Sequence, residues 1–309
     1  MEDDPSHSLF ASGIVEAGTF RCGVAHPRFH DTRPLTNYAF VFPRTAVWIQ
    51  HEGRREFVAD ANVAPLYNPG RPYRRRRLSD DGDQTDWFEV APHVLRDVIG
   101  RYDPRLADRD AELFDADYAP VSARTYLEQR QVIERLTSDI PADSLFVEEA
   151  VLGLLSDLIA GVFTPPATGV RIAHRDLVER ARAHLDVTFA SSDGLVELAQ
   201  ALSVSEYHLC RLFKRHTGLT IHAYRRQLRL RRSLELLVEP RSDLLTVALD
   251  LGFSGHSHFS AAFRATFGLR PTDVRGLSRA RQVLLNQTLD HHLRRLGGRP
   301  PFTCQSSSS

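Results

Sequence analysis

At 309 residues, with 42% hydrophobic and 25% charged residues, the chain has the composition of an ordinary globular protein and the length for two domains. It excludes a membrane span, since no apolar run approaches the ~18 residues that a bilayer needs. It also excludes a disulfide or zinc framework, since Cys22, Cys210 and Cys304 stand far apart with no C-x-x-C pair. Charge balances at 39 basic against 39 acidic residues, but residues 171–281 hold 18 Arg and Lys against 11 Asp and Glu, a net +7 offset by −7 elsewhere. That segment is a candidate polyanion binder. Lys214 is the single lysine, so arginine is favoured throughout and one arginine alone means little.

The N-terminus, MEDDPSHSLF, lacks the basic and apolar regions of a signal peptide, and a cytoplasmic protein with no membrane partner is expected. From residue 9 to about 118, short segments rich in Phe, Val, Tyr and Trp alternate with Pro, Gly, Asn and Asp, the pattern of strands joined by tight turns. A β-sandwich or small barrel is expected, with one helix in HVLRDVIGRY. The run Arg74 to Arg77 is followed at once by LSDDGD, which favours a solvated strand edge with local charge pairing over a nucleic-acid patch. Residues 119–164 change to a helical period. In VEEAVLGLLSDLIAGV, Val147, Ala150, Val151, Leu154, Leu155, Leu158, Ile159 and Val162 recur on one face. That stripe packs on its own β-domain and the helix YLEQRQVIERL, or forms a homodimer interface. FTPPATG reads as an interdomain linker. Helical patterns then fill 171–281, and the tail 282–309 has the composition of a partly disordered segment.

An internal repeat organises the basic segment. Ala199, Leu202, Val204 and Ser205 match Ala248, Leu251, Phe253 and Ser254 at a shift of 49; His208, Leu209, Phe213, Lys214, Gly218, Leu219 and Arg225 match His258, Phe259, Phe263, Arg264, Gly268, Leu269 and Arg275 at a shift of 50. Each copy reads as a short helix, a turn and a longer helix. Ser205 and Ser254 stand as N-caps and Gly218 and Gly268 as stops. This is a helix-turn-helix, twice, with IHAYRRQLRLRRSLELLVEP as one long connecting helix. Leu209, Leu212 and Phe213 face inward, leaving Glu206, Tyr207, Cys210, Arg211 and Lys214 outside. In the second copy Phe259, Ala262 and Phe263 face inward and His256, Ser257, Ser260, Ala261 and Arg264 outside. A major groove admits such a helix, and two of them held by one connector suit successive grooves about 34 Å apart. Because the two faces differ, an asymmetric site is expected.

Through LAQALSVSEYHLCRLFKRHTG, YRRQLRLRRSLELL and VALDLGFSGHSHFSAAFRATFGLRPTDVR, residues 171–281 resemble the DNA-binding domain of the AraC/XylS family of bacterial transcription regulators. Gly252, Phe253, Ser257, Phe259, Phe263, Arg264, Gly268 and Pro271 fit the family's second motif. Ala261 departs where an arginine often reads a base, and Val274 where a tyrosine usually precedes Arg275. The resemblance implies promoter DNA as partner and recruitment of RNA polymerase, with phosphate contacts expected from Ser205, Arg225, Ser254 and Arg275. The N-terminal region is similar to the cupin-like sensor domain of many members, NPGRPYRR matching the P-G-x-x-H turn with Tyr73 in place of histidine.

The fold class is thus α+β: a cupin-like β-barrel or sandwich with a helical dimerisation segment, then an all-α domain with two helix-turn-helix motifs joined by a long helix. The function is a sequence-specific DNA-binding transcription regulator, an activator controlled by a small-molecule effector or a partner. Candidate effector-pocket residues are Tyr38, Trp48, Tyr67 and Tyr73. Two competing readings are a metal-dependent cupin enzyme carrying a DNA-binding domain, and a regulator whose β-domain binds a protein and no ligand. Against the first, His26 and His30 do not form H-x-H. His256 and His258, two apart, point in different directions on a helix. No G-x-S-x-G, P-loop or H-E-x-x-H is present, so neither catalysis nor a cofactor or metal is expected.

Overall fold

A computed structural model describes residues 4–30, 32–107, 112–138, 141–163, 172–237 and 243–275. Most of the expected linker FTPPATG, the end of the connecting helix past Leu237 and the tail 282–309 lie outside these residues. The N-terminal part runs β1 (Ser6–Ala11), β2 (Val15–Cys22), α1 (Pro27–His30), β3 (Tyr38–Pro43), β4 (Val47–His51), β5 (Phe57–Ala59), β6 (Val63–Tyr67), β7 (Tyr73–Arg77), β8 (Asp83–Val90), α2 (Pro92–Gly100), α3 (Pro104–Ala107) and β9 (Tyr118–Pro120). The strands therefore begin at Ser6, before the expected boundary at residue 9, and end inside the segment expected to be helical.

Among the described residues nine antiparallel strands form two sheets, ordered β1-β2-β8-β3-β6-β9 and β5-β4-β7. Every residue of β3 and β6 is buried, because both faces of the large sheet are covered. Tyr38, Phe40, Phe42, Leu66, Phe88 and Val90 pack against helices. The alternate residues Ala39, Val41, Pro43, Tyr67, Thr85 and Trp87 line a cavity, as the two-residue period of a strand requires. Two helices cover the outer face: α4 (Ala123–Leu136), capped by Ser122 accepting from the Thr125 N–H at 3.0 Å, and α5 (Ser144–Phe163). The apolar stripe of α5 is buried in this domain's own core through Val147, Val151, Leu154, Leu155, Leu158 and Ile159.

The remainder is helical: α6 (Ile172–Val187), α7 (Leu195–Ala201), α8 (Glu206–Thr217), α9 (Ile221–Leu237), α10 (Leu244–Asp250), α11 (His256–Phe267) and α12 (Pro271–Arg275). α6 to α8 and the first half of α9 enclose one core around Leu185, Leu198, Leu209, Phe213 and Leu228. The core of the second unit, around Leu234, Leu251, Phe259 and Phe263, is continuous with that of α4 and α5.

Polar groups stitch these helices to the strands. Arg182 of α6, 1% exposed, donates to the Val58 carbonyl of β5 at 2.5 Å, to Glu179 at 2.7 Å and to the Tyr224 hydroxyl of α9 at 2.7 Å. Tyr224 in turn donates to Asp60. Arg231 of α9, equally buried, donates to the carbonyls of Ala61 and Val121, and burial pushes its pKa down to about 10. Arg44 donates to both oxygens of the buried Asp86, at 2.8 and 2.9 Å, and to Glu235 of α9 at 3.2 Å. Burial alone would raise the Asp86 carboxyl, but Arg44 and Arg130 hold it below the usual carboxylate range.

Candidate nucleic-acid interface and sensor cavity

The first unit is α7, a turn and α8. Ser205 caps α8, its hydroxyl accepting from the His208 N–H at 3.4 Å, and Gly218 ends the helix in the left-handed region at φ 74°. Leu209, Leu212 and Phe213 are buried as expected. Glu206, Tyr207, Arg211 and Lys214 are exposed, Tyr207 at 77%, and Cys210 is half-buried. An exposed helix face of this size is one that a DNA major groove admits.

The second unit is α10, a turn and α11. Gly268 stops α11 at φ 73° with its N–H donating to the Arg264 carbonyl, the same geometry as Gly218 with Lys214. His256, Ser257, Ala261 and Arg264 are exposed and Ser260 is half-buried, its hydroxyl 3.3 Å from the His256 ring. Ser254 does not cap this helix: Gly255 is the N-cap residue, and the Ser254 hydroxyl lies 3.0 Å from His258 Nδ1. The residue gained between the two copies falls in the turn, and it displaces the serine by one position from the helix start.

The turns differ in strain. Ser203 has φ 57°, and among the described residues it is the single non-glycine with positive φ. Its counterpart is Gly252, at φ 75°, where an added Cβ would lie 2.3 Å from the Ala190 carbonyl oxygen. Only glycine fits there. Arg229 of α9 ties both units together, donating to the carbonyls of Phe189 (2.6 Å), Ser191 (2.8 Å) and Gly252 (2.7 Å). Arg225 donates to the Asp193 carbonyl, so its guanidinium is partly committed to the fold. Arg275 is the last residue of α12.

A cavity of about 400 Å³ lies between the two sheets of the N-terminal domain. Tyr67 and Tyr73 line it. Tyr38 and Trp48 do not: Tyr38 faces the helices and meets Phe114 edge-on at 5.8 Å, while Trp48 packs with Val58 and Ala183 of α6 under the Arg76 guanidinium. Both sit at the wrong parity, since Ala39 and Val41 of β3 and Val47 and Ile49 of β4 line the cavity. Sequence reasoning missed Arg75, Asp83, Trp87, Glu16 and Glu89 in its wall. Arg75 and Asp83 are an ion pair of 2.7 Å, each side chain 5% exposed. The arginine run on edge strand β7 thus has one buried side chain, that of Arg75, followed by surface pairs of Arg76 with Glu56 at 2.7 Å and Arg77 with Asp80 at 3.0 Å. Among the described residues no three His, Cys, Asp or Glu side chains converge as a metal set.

Residues 198–276 match the family model of a helix-turn-helix domain. The chain is 27% identical to the probable transcriptional regulator LumQ of Photobacterium leiognathi, over 55% of this chain and 66% of LumQ. It is 30% identical to the HTH-type transcriptional activator RhaS of Escherichia fergusonii, over 49% of this chain and 51% of RhaS. A solved structure of a transcriptional regulator of the AraC-type DNA-binding class from Chromobacterium violaceum aligns at 26% identity over 35% of this chain and 97% of that one, with a TM-score of 0.33. The chain spans between a quarter and about two thirds of the length of the curated relatives it matches first. The paired units, their matched glycine stops and the family match over residues 198–276 lead to one conclusion: the C-terminal region of this chain is an AraC-type helix-turn-helix domain.

Proposed function

We propose that the protein is a sequence-specific DNA-binding transcription regulator, acting as an activator through RNA polymerase and controlled by a small molecule held in the N-terminal cavity. α8 reads one major groove through Tyr207, Arg211 and their neighbours Glu206, Cys210 and Lys214. α11 reads the next through His256, Ser257, Ser260, Ala261 and Arg264, with Ser205, Ser254, Arg225 and Arg275 on the phosphates. The observation that carries this reading is the pair of exposed, unlike helix faces standing on matched cores and fixed by one connector, α9. Because Ala261 offers no long side chain, α8 supplies most of the base discrimination. A homodimer places two such domains on one promoter, through a face other than the α5 stripe, which is buried in the domain's own core.

The test is binding of the full chain to its cognate site and to random DNA across a salt series. The Arg211→Ala variant is expected to lose about 1–3 kcal/mol on the cognate site and much less on random DNA. Equal losses on both would make Arg211 a phosphate contact and remove it as a reader.

A further inference from the structure

The wall of the N-terminal cavity carries a charge arrangement that its own contacts leave incomplete. Glu16 and Glu89 stand directly opposite each other in the β2–β8 ladder, and both line the cavity. Like charges directly opposite destabilise a sheet. Each carboxylate accepts one neutral hydrogen bond, Glu16 from the Ser8 hydroxyl and Glu89 from the Asn37 amide, both at 2.8 Å. Burial raises the Glu89 carboxyl, opposed by the Asn37 hydrogen bond, and the neighbouring Glu16 raises it further. The other acids of the wall have cationic partners: Asp4 pairs with Arg28 at 3.2 Å at the mouth, and Asp83 with Arg75 deep inside. Arg33 is exposed at the rim.

Two further atoms point to an occupant. Asp83 is 3% exposed, and its Oδ1 has no hydrogen-bond partner among the described residues. Trp87 Nε1 is buried and likewise unpartnered. The Trp87 indole is fixed against Gly18, where an added Cβ would meet the ring at 2.3 Å. Such groups inside a protein are completed by a water, an ion or a ligand. Along β8 the cavity therefore presents, in order, Asp83, Thr85, Trp87 and Glu89: a lone acceptor, an aromatic wall and an anionic corner.

We propose that the cavity takes a small organic cation, an amine with an apolar or aromatic body, its ammonium held between Glu16 and Glu89 and its body against Trp87. This rests on the reading of the cavity as the sensor site.

The probes are a matched series of 2-phenylethylamine, 2-phenylethanol and phenylacetate, titrated into the full chain by calorimetry and thermal shift. The amine binds at least about tenfold more tightly than the alcohol, the margin expected of a charge-assisted contact, and the carboxylate binds most weakly. Glu16→Gln and Glu89→Gln each reduce the amine's advantage over the alcohol to under about threefold. Binding of the alcohol or carboxylate as tight as that of the amine overturns the proposal, as does an amine preference untouched by both substitutions. Filling the cavity separates the two claims, using Ala39→Phe or Ala59→Leu, whichever keeps a cooperative melt. If all three probes bind alike and filling abolishes them, the sensor cavity stands and the cation falls; if none binds, or filling changes nothing, both fall.

Discussion

The two helix-turn-helix units share a plan and differ in what they lean on. The first encloses its own core of Leu198, Leu209, Leu212 and Phe213, and polar groups fasten it to the strands through Arg182, Glu179 and Tyr224. The second joins Phe259, Phe263 and Phe267 to the same apolar core as α4 and α5. An apolar seat transmits packing changes directly, because a close-packed core responds to a single methylene. The strands on the far side of that core also line the N-terminal cavity, through β3, β6 and β8. In the proposed mechanism the second unit feels the cavity and the first supplies base contacts through Arg211.

The largest expected effects break this comparison at its cores. Phe263→Ala and Phe213→Ala should each cost about 3–5 kcal/mol locally. Trp48 packs on Ala183 of α6, whereas Trp87 lines the N-terminal cavity, so a Trp48→Phe background leaves Trp87 as the reporter of that domain. Urea melts should show Phe263→Ala lowering the tryptophan transition together with the helical signal, and Phe213→Ala lowering the tryptophan transition less. Equal shifts would mean that the two seats do not differ.

Next come the turns. Gly252→Ala should cost roughly 2–3 kcal/mol, since the new methyl meets the Ala190 carbonyl at 2.3 Å and the backbone stays at positive φ; a melt within about 0.5 kcal/mol of the parent would refute that close approach. On DNA, Arg211→Ala should cost about 1–3 kcal/mol at the cognate site, and Ser257→Ala on α11 less than about 1 kcal/mol. The reverse order in a binding titration would make α11 the dominant reader. The smallest effect is a gain: Ser203→Gly relieves a left-handed serine and should stabilise by up to about 1 kcal/mol in thermal melts.

The helix-turn-helix units were legible in the sequence because their signals are local: Leu and Phe at helical spacing, Ser205 before α8, glycines after α8 and α11. The N-cap of α11 was misplaced at Ser254 because a one-residue gain in a turn leaves no periodic trace. Excess arginine was a poorer guide. Arg182, Arg229 and Arg231 spend their guanidinium groups on carbonyls of Val58, Phe189, Ser191, Gly252, Ala61 and Val121, and pairings between such distant segments have no local signature. In the β-domain the aromatic strands were visible but the face of each residue was not. Tyr67 and Tyr73 fall in the cavity wall while Tyr38 and Trp48 fall behind it, a distinction that needs the strand register.

The most direct test of the central claim is selection of bound sequences from a random DNA pool by the full chain and by its Arg211→Ala variant. The account predicts two unlike sequence blocks about 10–10.5 base pairs apart, one of them more tightly constrained and lost in the variant while the other persists. A palindrome read by identical faces within one chain, a single block, or no enrichment at all would contradict it.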